Sequence, residues 1–333
     1  LPTNWGRRQA VVQSAARLAA VGVLITAGLI SLLMIGILQL EGRWDPALMA
    51  KVLFIGAMLS STDASAALSL LRPLAGRMPQ KVLDLIEVES TINDPMAVVL
   101  AGLALALAGG EGIATEALVT DVVRQFLLGG LLGFIGGSLI SQLLRGSSSL
   151  NRGSMLPVVS LALLLVLSGG TTVMGGSPLL AAYVAGLVLG NGTSTDQQVL
   201  EEAHSSFAKM AELMLFLCLG LVVEPNDVVR AAGLALALFV AMQLVRWLMV
   251  QLLLLRSSFS PKERRFICWT GLRGAVPIAM AIQAWNSTAS WGKLMPPLAL
   301  SVVLLGLLIQ GFALVPIAHR LGLVLPSDEG QPT

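Results

Sequence analysis

The most restrictive feature of this sequence is a series of long apolar runs. Each run is close to the roughly 20 residues that a helix needs to cross the hydrocarbon core of a bilayer. Ten such runs are expected, at about 18–40, 49–71, 83–109, 122–144, 155–174, 178–193, 210–223, 229–255, 266–285 and 294–318. Lipid offers the backbone no hydrogen-bond partners, so runs of this kind form helices. We therefore predict an all-α polytopic membrane protein with about ten transmembrane helices.

Composition supports this class and excludes others. Charged residues make up 12% of the 333 residues, against roughly 25% in soluble domains. A net charge of +2, with no strongly basic run, argues against a nucleic acid partner. Cys218 and Cys268 lie in apolar surroundings and form neither a disulfide framework nor a CxxC metal site. The expected surroundings are the lipid bilayer, and no cofactor is expected.

The chain divides into one long domain and a short tail. Residues 1–325 are predicted to form a single transmembrane domain, and residues 326–333 a polar, disordered C-terminal tail. The sequence begins at Leu1 instead of Met. We expect that an N-terminal part of the protein precedes it.

Basic residues predict the orientation of the spans. With ten spans, all the basic clusters fall on one side of the membrane, which is the cytoplasmic side by the positive-inside rule. They are Arg7, Arg8 and Arg17; Arg72, Arg77 and Lys81; Arg145 and Arg152; Arg256, Lys262, Arg264 and Arg265; and His319 and Arg320. The prediction is a multi-pass protein of the cell membrane with a cytoplasmic C-terminus.

Two spans carry carboxylates inside otherwise apolar runs. The second span contains Ser60-Ser61-Thr62-Asp63, and the third contains Glu89-Ser90-Thr91-Ile92-Asn93-Asp94-Pro95. A charge at membrane depth is costly, so its default interpretation is functional. On a helix, Ser90 and Asp94 share a face, and their oxygens suit a hard monovalent cation. A carboxylate placed there holds either a proton or a cation, and that competition is already an exchange mechanism.

The first three and last three spans form a matching pair. They enter the membrane from opposite sides, and the middle span of each triplet is interrupted, by residues 60–63 in one and 271–277 in the other. Interrupted spans in corresponding positions of inverted halves indicate the binding site of a secondary transporter. Unwound backbone there exposes carbonyl groups to a cation.

The carboxylates also have a structural interpretation. Glu89 is more simply explained as the partner of a buried arginine, and both Arg246 and Arg273 are available. Two arginines cannot neutralise the four carboxylates of these spans, which are Asp63, Glu87, Glu89 and Asp94. Asp63 and Asp94 are therefore interpreted as functional.

Two other functions use the same residues. A channel or uniporter would use the same oxygens without coupling to protons. Two aspartates on adjacent spans could also form an intramembrane aspartyl protease dyad. Such proteases resemble one another in a Gly-x-Gly-Asp element, which is absent here because Ile92 and Asn93 precede Asp94.

Three motifs together resemble one known family. Ser61-Thr62-Asp63, residues 89–95 and Gly271-Leu272-Arg273-Gly274-Ala275-Val276-Pro277 are similar to those of NhaP-type members of the monovalent cation:proton antiporter-1 family. The resemblance implies a NhaA-like inverted-repeat fold of about thirteen helices with two crossed broken helices, of which about three upstream helices are missing here. It also implies homodimers, with a core domain that moves against a dimerisation domain.

The resemblance also implies roles for single residues. Asp94 would bind cation and proton alternately, with Ser90 and the Thr62 backbone as further ligands. Asp63 would support the crossing. Asn93, which is neutral where electrogenic relatives have an aspartate, implies electroneutral exchange.

The resemblance further implies that Glu89 would pair with Arg273, and that Na+, K+ or Li+ and H+ would be the transported ions. Ala64 follows Asp63 where many relatives have proline. This variant is similar to the branch that includes potassium/proton exchangers, which makes potassium as plausible as sodium.

Overall fold

All regular structure in the described part of this chain is helical. The computed structural model describes residues 5–108, 115–146, 155–191 and 197–325, and no strand occurs among them. The α-helices are α1 (Trp5–Leu40), α2 (Met49–Met58), α3 (Ala64–Leu70), α4 (Gln80–Ala108), α5 (Thr115–Gly146), α6 (Met155–Val173), α7 (Pro178–Gly190), α8 (Gln197–Val222), α9 (Pro225–Leu253), α10 (Pro261–Trp269), α11 (Ala275–Trp285), α12 (Met295–Gly306) and α13 (Phe312–Arg320). The predicted all-α class is confirmed.

Many of these helices suit a bilayer. Within the described residues, seven helical segments are long and apolar enough to cross a membrane, and three shorter apolar helical segments accompany them. This is a multi-pass membrane protein, and the number of ten spans stays a prediction. The predicted start of the seventh span, at about residue 210, is too late. Helix α8 starts at Gln197 because a polar first half, with Glu201, Glu202 and Lys209, continues directly into the apolar run.

Both predicted interruptions are present. Residues 59–63 separate α2 from α3 and are called the first break; residues 270–274 separate α10 from α11 and are called the second break. Asp63 begins α3 as its N-cap, accepting a hydrogen bond from the Ala66 amide at 3.0 Å. Gly274 precedes α11, and a Cβ atom there would overlap the Asp63 carboxylate. The two breaks are therefore close in space.

Helix starts elsewhere follow from ordinary capping chemistry. Ser260 and Glu263 form a reciprocal capping box at the start of α10, with Pro261 at its first position. Ser177 caps α7 through the Leu180 amide at 3.3 Å. These local signals set helix boundaries without help from distant residues.

The chain forms two compact units. The first comprises residues 1–6 and 112–214. Within it α5, α6 and α7 pack together. A Cβ atom on Gly133 would lie 2.6 Å from the Ala181 carbonyl oxygen of α7, so the two backbones approach closely. Small residues on α5 thus allow close packing against α7 at this contact.

The second unit comprises residues 7–111 and 215–333. In it α4 packs against both α2 and α3, and α11 contacts α2 and α4. One buried cluster includes Phe54, Met58 and Met242, and another includes Leu85 and Phe266. Both broken spans lie in this unit. The single transmembrane domain predicted for residues 1–325 stays a prediction, and the predicted tail at 326–333 lies outside the described residues.

Candidate functional site at the two breaks

The two breaks are held together by hydrogen bonds in both directions. The Asp63 amide donates to the Leu272 carbonyl at 2.8 Å. In return, the Arg273 side chain donates from Nε and Nη2 to the Leu59 carbonyl, at 3.2 and 2.9 Å. Interrupted helices leave backbone groups without intrahelical partners, and each break here satisfies such groups of the other. The sequence prediction that these segments meet is confirmed.

Helix α4 fastens the first break through Thr62. The Thr62 amide donates to Asn93 Oδ1 at 3.3 Å, and Asn93 Nδ2 donates to Thr62 Oγ1 at 2.6 Å. The Thr62 and Ser90 hydroxyl groups are 3.0 Å apart. All three residues are buried. Asn93 and Ser90 therefore fix the unwound backbone at the residue before Asp63.

Asp94 presents an unsatisfied oxygen beside this arrangement. Its Oδ1 atom is buried and has no hydrogen-bond partner among the described residues. Ser90 precedes it by one helical turn and lies on the same face of α4. Asp94 lies close to the Asp63 carboxylate of the first break. A buried acceptor of this kind requires an explanation, and a proton or a cation bound to it would supply one.

The Asp63 carboxylate is engaged locally. Besides capping α3, its Oδ1 atom accepts a hydrogen bond from the Ser65 hydroxyl at 2.7 Å. The side chain thus orders the start of α3, while the main-chain amide bonds to the second break. The structure brings Ser90 and Asn93 of α4 against Thr62, the residue that precedes Asp63.

The predicted ion pair between Glu89 and Arg273 is wrong. Glu89 instead forms a buried bidentate pair with Arg246 of α9, Nη1 donating to Oε1 and Nη2 to Oε2 at 3.0 Å. Arg246 Nη2 also donates to the Ile267 carbonyl at 3.2 Å. Arg273 donates to the carbonyls of Leu59 and Gly271. The breaks leave these carbonyls without helix partners, and they occupy the guanidinium that was expected to reach Glu89.

The Glu89–Arg246 pair borders a small cavity that polar and apolar residues line. Its volume is about 10 Å³, and Ser60, Asn93 and Arg273 also line it. This is roughly the space of one water molecule. The Glu89–Arg246 pair, Asn93 and Arg273 of the second break therefore border the same cavity in the second unit.

One buried polar residue next to the second break was not singled out from the sequence. Gln310 is fully buried and lies in a π-helical turn, Leu307–Gly311, that joins α12 to α13. Its Nε2 donates to the carbonyl of Trp269, the last residue of α10, at 3.2 Å. The signal available was a lone amide inside a long apolar run. Such π-turns occur frequently at functional sites.

Most of this chain matches a known protein family. Residues 7–320 match the sequence profile of the family described as "Sodium/hydrogen exchanger, transmembrane". The chain belongs to this family. The match covers both breaks, α4 and α9, and so includes every site residue named above. The resemblance to NhaP-type antiporters is confirmed.

Named relatives within the sodium/hydrogen exchanger family include potassium/proton antiporters and a sodium/proton antiporter. The chain is 31% identical over 332 residues to the K(+)/H(+) antiporter NhaP of Alkalimonas amylolytica, covering 98% of this chain and 56% of that protein. It is 36% identical over 288 residues to the K(+)/H(+) antiporter NhaP2 of Shewanella oneidensis, covering 82% and 48%. It is 27% identical over 296 residues to the Na(+)/H(+) antiporter ApNhaP of Aphanothece halophytica, covering 82% and 54%. The chain spans about half the length of these relatives.

The fold of this sodium/hydrogen exchanger chain also matches a solved structure. The sodium proton antiporter MjNhaP1 of Methanocaldococcus jannaschii at pH 8 aligns with a TM-score of 0.79 at 19% identity, covering 95% of this chain and 80% of that one. The predicted antiporter fold with two broken helices is confirmed.

Proposed function

We propose that this chain belongs to a secondary active transporter that exchanges a monovalent cation for a proton, with Asp94 binding one or the other. The observation that carries the proposal is the buried, unpartnered Oδ1 atom of Asp94 beside the two breaks. A carboxylate oxygen is a suitable ligand for a hard cation and an acceptor for a proton. Both ions require the same oxygen, so binding of one excludes the other.

The surrounding residues have distinct roles in this proposal. The Ser90 hydroxyl and the Thr62 backbone add neutral oxygen ligands near Asp94. Asn93 and Asp63 hold the first break in its unwound form, as their hydrogen bonds to Thr62 and to the start of α3 support. In this proposal Na+, K+ or Li+ and H+ are transported substrates, and no cofactor is expected.

Charge balance supports an electroneutral cycle. The Asn93 amide carries no charge, and both of its polar atoms are engaged by Thr62. Asp94 therefore provides one exchangeable negative charge, which is neutralised by one proton or by one monovalent cation. Sodium and potassium remain equal candidates, since the named relatives include antiporters of each.

A protease dyad has less support from this geometry. Such a dyad requires two carboxylates that share a proton. The Asp63 Oδ1 atom already accepts hydrogen bonds from the Ala66 amide and the Ser65 hydroxyl. This carboxylate serves the fold of α3, which leaves Asp94 as the single exchanging group.

The experiment is transport by the complete protein in vesicles with an imposed pH gradient. For Na+, the membrane potential is clamped at zero with potassium and valinomycin before Na+ is added. For K+, valinomycin is left out, and the pH gradient is followed after K+ is added. The intact protein should dissipate the pH gradient, and Asp94→Asn should abolish this. Asp227→Asn, which alters a surface ion pair with Arg230, is the matched control and should transport normally.

The same vesicles distinguish exchange from uncoupled flux. A uniporter under clamped potential would carry the cation without changing internal pH, and that result would contradict the proposal. Normal exchange by Asp94→Asn would contradict the assignment of the site.

Assembly and orientation are part of the proposal. A homodimer follows from the resemblance to NhaP-type antiporters, and a cytoplasmic C-terminus follows from the distribution of basic residues. Crosslinking in native membranes tests the dimer. Labelling of Ser327→Cys in a Cys218→Ser background, with a maleimide that does not cross membranes, tests the orientation. Reaction in intact cells would overturn the predicted orientation.

A further inference from the structure

A second cavity in this unit is separate from the residues described above. It has a volume of about 530 Å³ and lies between α1, the start of α2 and α9. This size is within the roughly 300–1,000 Å³ of typical ligand sites. None of its lining residues belongs to the breaks or to the Glu89–Arg246 pair. It therefore needs an explanation of its own.

The walls of this cavity are apolar and open to the surroundings. Leu33 and Ile37 of α1 and Leu234 of α9 line it, and each of these side chains is at least 39% exposed. Helices α1 and α9 contain segments that are long and apolar enough to cross a membrane, and the start of α2 lies in a shorter apolar helical segment. Exposed leucine and isoleucine on such helices suit hydrocarbon tails as neighbours. The cavity wall is thus continuous with exposed apolar surface of these helices.

The polar end of the cavity carries one uncompensated positive charge. Glu41, Arg43 and Lys51 line it. Arg43 Nη1 pairs with Glu41 Oε2 at 3.4 Å, which cancels one charge of each sign. Lys51 is partly buried, is repelled by Arg43 and has no ion pair among the described residues. A partly buried ammonium without an anion is costly.

We propose that this cavity binds an anionic phospholipid. The phosphate lies at the Lys51 ammonium, and one acyl chain lies along the apolar wall between α1 and α9. The charge of the site matches a phosphate, and its wall matches hydrocarbon. An inorganic phosphate would use only Lys51 and would leave the apolar wall without a role.

The proposed lipid would lie close to the helix that leads into the first break. Lys51 lies in the first turn of α2, and the first break begins directly after α2 ends at Met58. A bound lipid would hold α2 against α1 and α9. A ligand that binds only the folded state raises its stability according to its concentration and affinity. Anionic lipid should therefore stabilise the protein more than a zwitterionic lipid with the same tails.

The test measures lipid binding and thermal unfolding of the complete protein in mild detergent. Phosphatidylglycerol and phosphatidylcholine with identical acyl chains are titrated in parallel. The expected result is at least tenfold tighter binding of phosphatidylglycerol. Lys51→Gln should remove this preference, because it weakens phosphatidylglycerol binding much more than phosphatidylcholine binding. Lys293→Gln, at an exposed lysine elsewhere in the same unit, is the control and should keep the preference.

A second variant tests the apolar wall independently of charge. Ala237 lines the cavity, and Ala237→Phe places a ring in the space assigned to the acyl chain. Binding of both lipids should weaken severalfold in this variant. Equal binding of the two lipids by the intact protein would overturn the proposal, as would an unchanged preference in Lys51→Gln. Unchanged binding in Ala237→Phe, or equal protection by inorganic phosphate, would overturn the placement of the acyl chain.

Discussion

Asn93 and Thr62 hold each other through two hydrogen bonds of opposite direction. The asparagine accepts from the Thr62 amide at 3.3 Å and donates to the Thr62 hydroxyl at 2.6 Å. A carboxylate in this position could only accept, so the amide is chemically suited to both contacts. The residue that precedes Asp94 thereby serves the first break and adds no charge to the site.

The first prediction is that Asn93→Ala destabilises the protein. It leaves the buried Thr62 amide without its acceptor, and each unsatisfied buried group costs about 1–3 kcal/mol. The free energy of unfolding should fall by about that amount, measured by denaturant titration in detergent. Asn191→Ala removes only an exposed contact with the Leu187 carbonyl and should change it little. Equal losses of unfolding free energy in the two variants would contradict the role of Asn93 in holding Thr62.

The second prediction concerns the partner of Glu89. A double-mutant cycle with Glu89→Gln and Arg246→Gln should give a strong coupling energy, because removing one member of a buried pair costs about 3–5 kcal/mol. The same cycle with Arg273→Gln should give a smaller coupling, since Arg273 donates to backbone carbonyls. Larger coupling to Arg273 would restore the pairing expected from the sequence.

The third prediction is a pH dependence at the start of α10. Burial alone would raise the pKa of Glu263, but hydrogen bonds from the Lys81 side chain and from Ser260 outweigh it, so its pKa is lowered from 4.5. A lowered pKa means that the charged form stabilises the fold above about pH 4.5, and that this contribution is lost as pH falls through the folded-state pKa.

Glu263→Gln tests this, because glutamine can still form the capping box. The variant should be less stable than the intact protein at pH 7, by up to about 1 kcal/mol. The difference should shrink when thermal unfolding is measured at progressively lower pH below 4.5. Glu41→Gln, which alters the exposed pair with Arg43, should show no such trend. A constant difference at all pH values would indicate a role other than charge.

The fourth prediction concerns the close contact of α5 and α7 in the first unit. Gly133→Ala introduces a Cβ atom 2.6 Å from the Ala181 carbonyl oxygen, so α7 must shift and thermal stability should fall. Gly130→Ala on the same helix meets no atom within 4 Å. It should be neutral or stabilising by roughly 0.5–1 kcal/mol, because alanine favours helix more than glycine does. Stabilisation by both variants would contradict the close approach.

Sequence reasoning located the breaks but not all of their partners. Polar and glycine residues inside apolar runs, such as Asp63 and Gly274, are visible in the sequence because a membrane helix has little reason to contain them. Which arginine meets Glu89 is not visible, since Arg246 and Arg273 are both single cations in apolar spans. The choice depends on the Leu59 and Gly271 carbonyls, which become available to Arg273 only in the folded arrangement.

Uncharged polar residues were harder to assign. Helical periodicity grouped Ser90 with Asp94, yet the structure shows that Ser90 and Asn93 both contact Thr62. The position of a third element between two helix faces cannot be obtained from the periodicity of one helix. Gln310 gave a weaker signal still, because an amide in a membrane helix costs much less than a charge.

The hydrogen bonds between Leu59 and Arg273 can form only late in the synthesis of the chain. The two residues are 214 positions apart in the chain. At roughly 5–20 residues per second, a ribosome needs about 10–40 seconds to add the arginine after the leucine. During that interval the carbonyl end of α2 must be satisfied by water or by the insertion machinery. The first half of the second unit is therefore expected to remain incompletely packed after insertion, until the last third of the chain, which contains Arg273, has been synthesised.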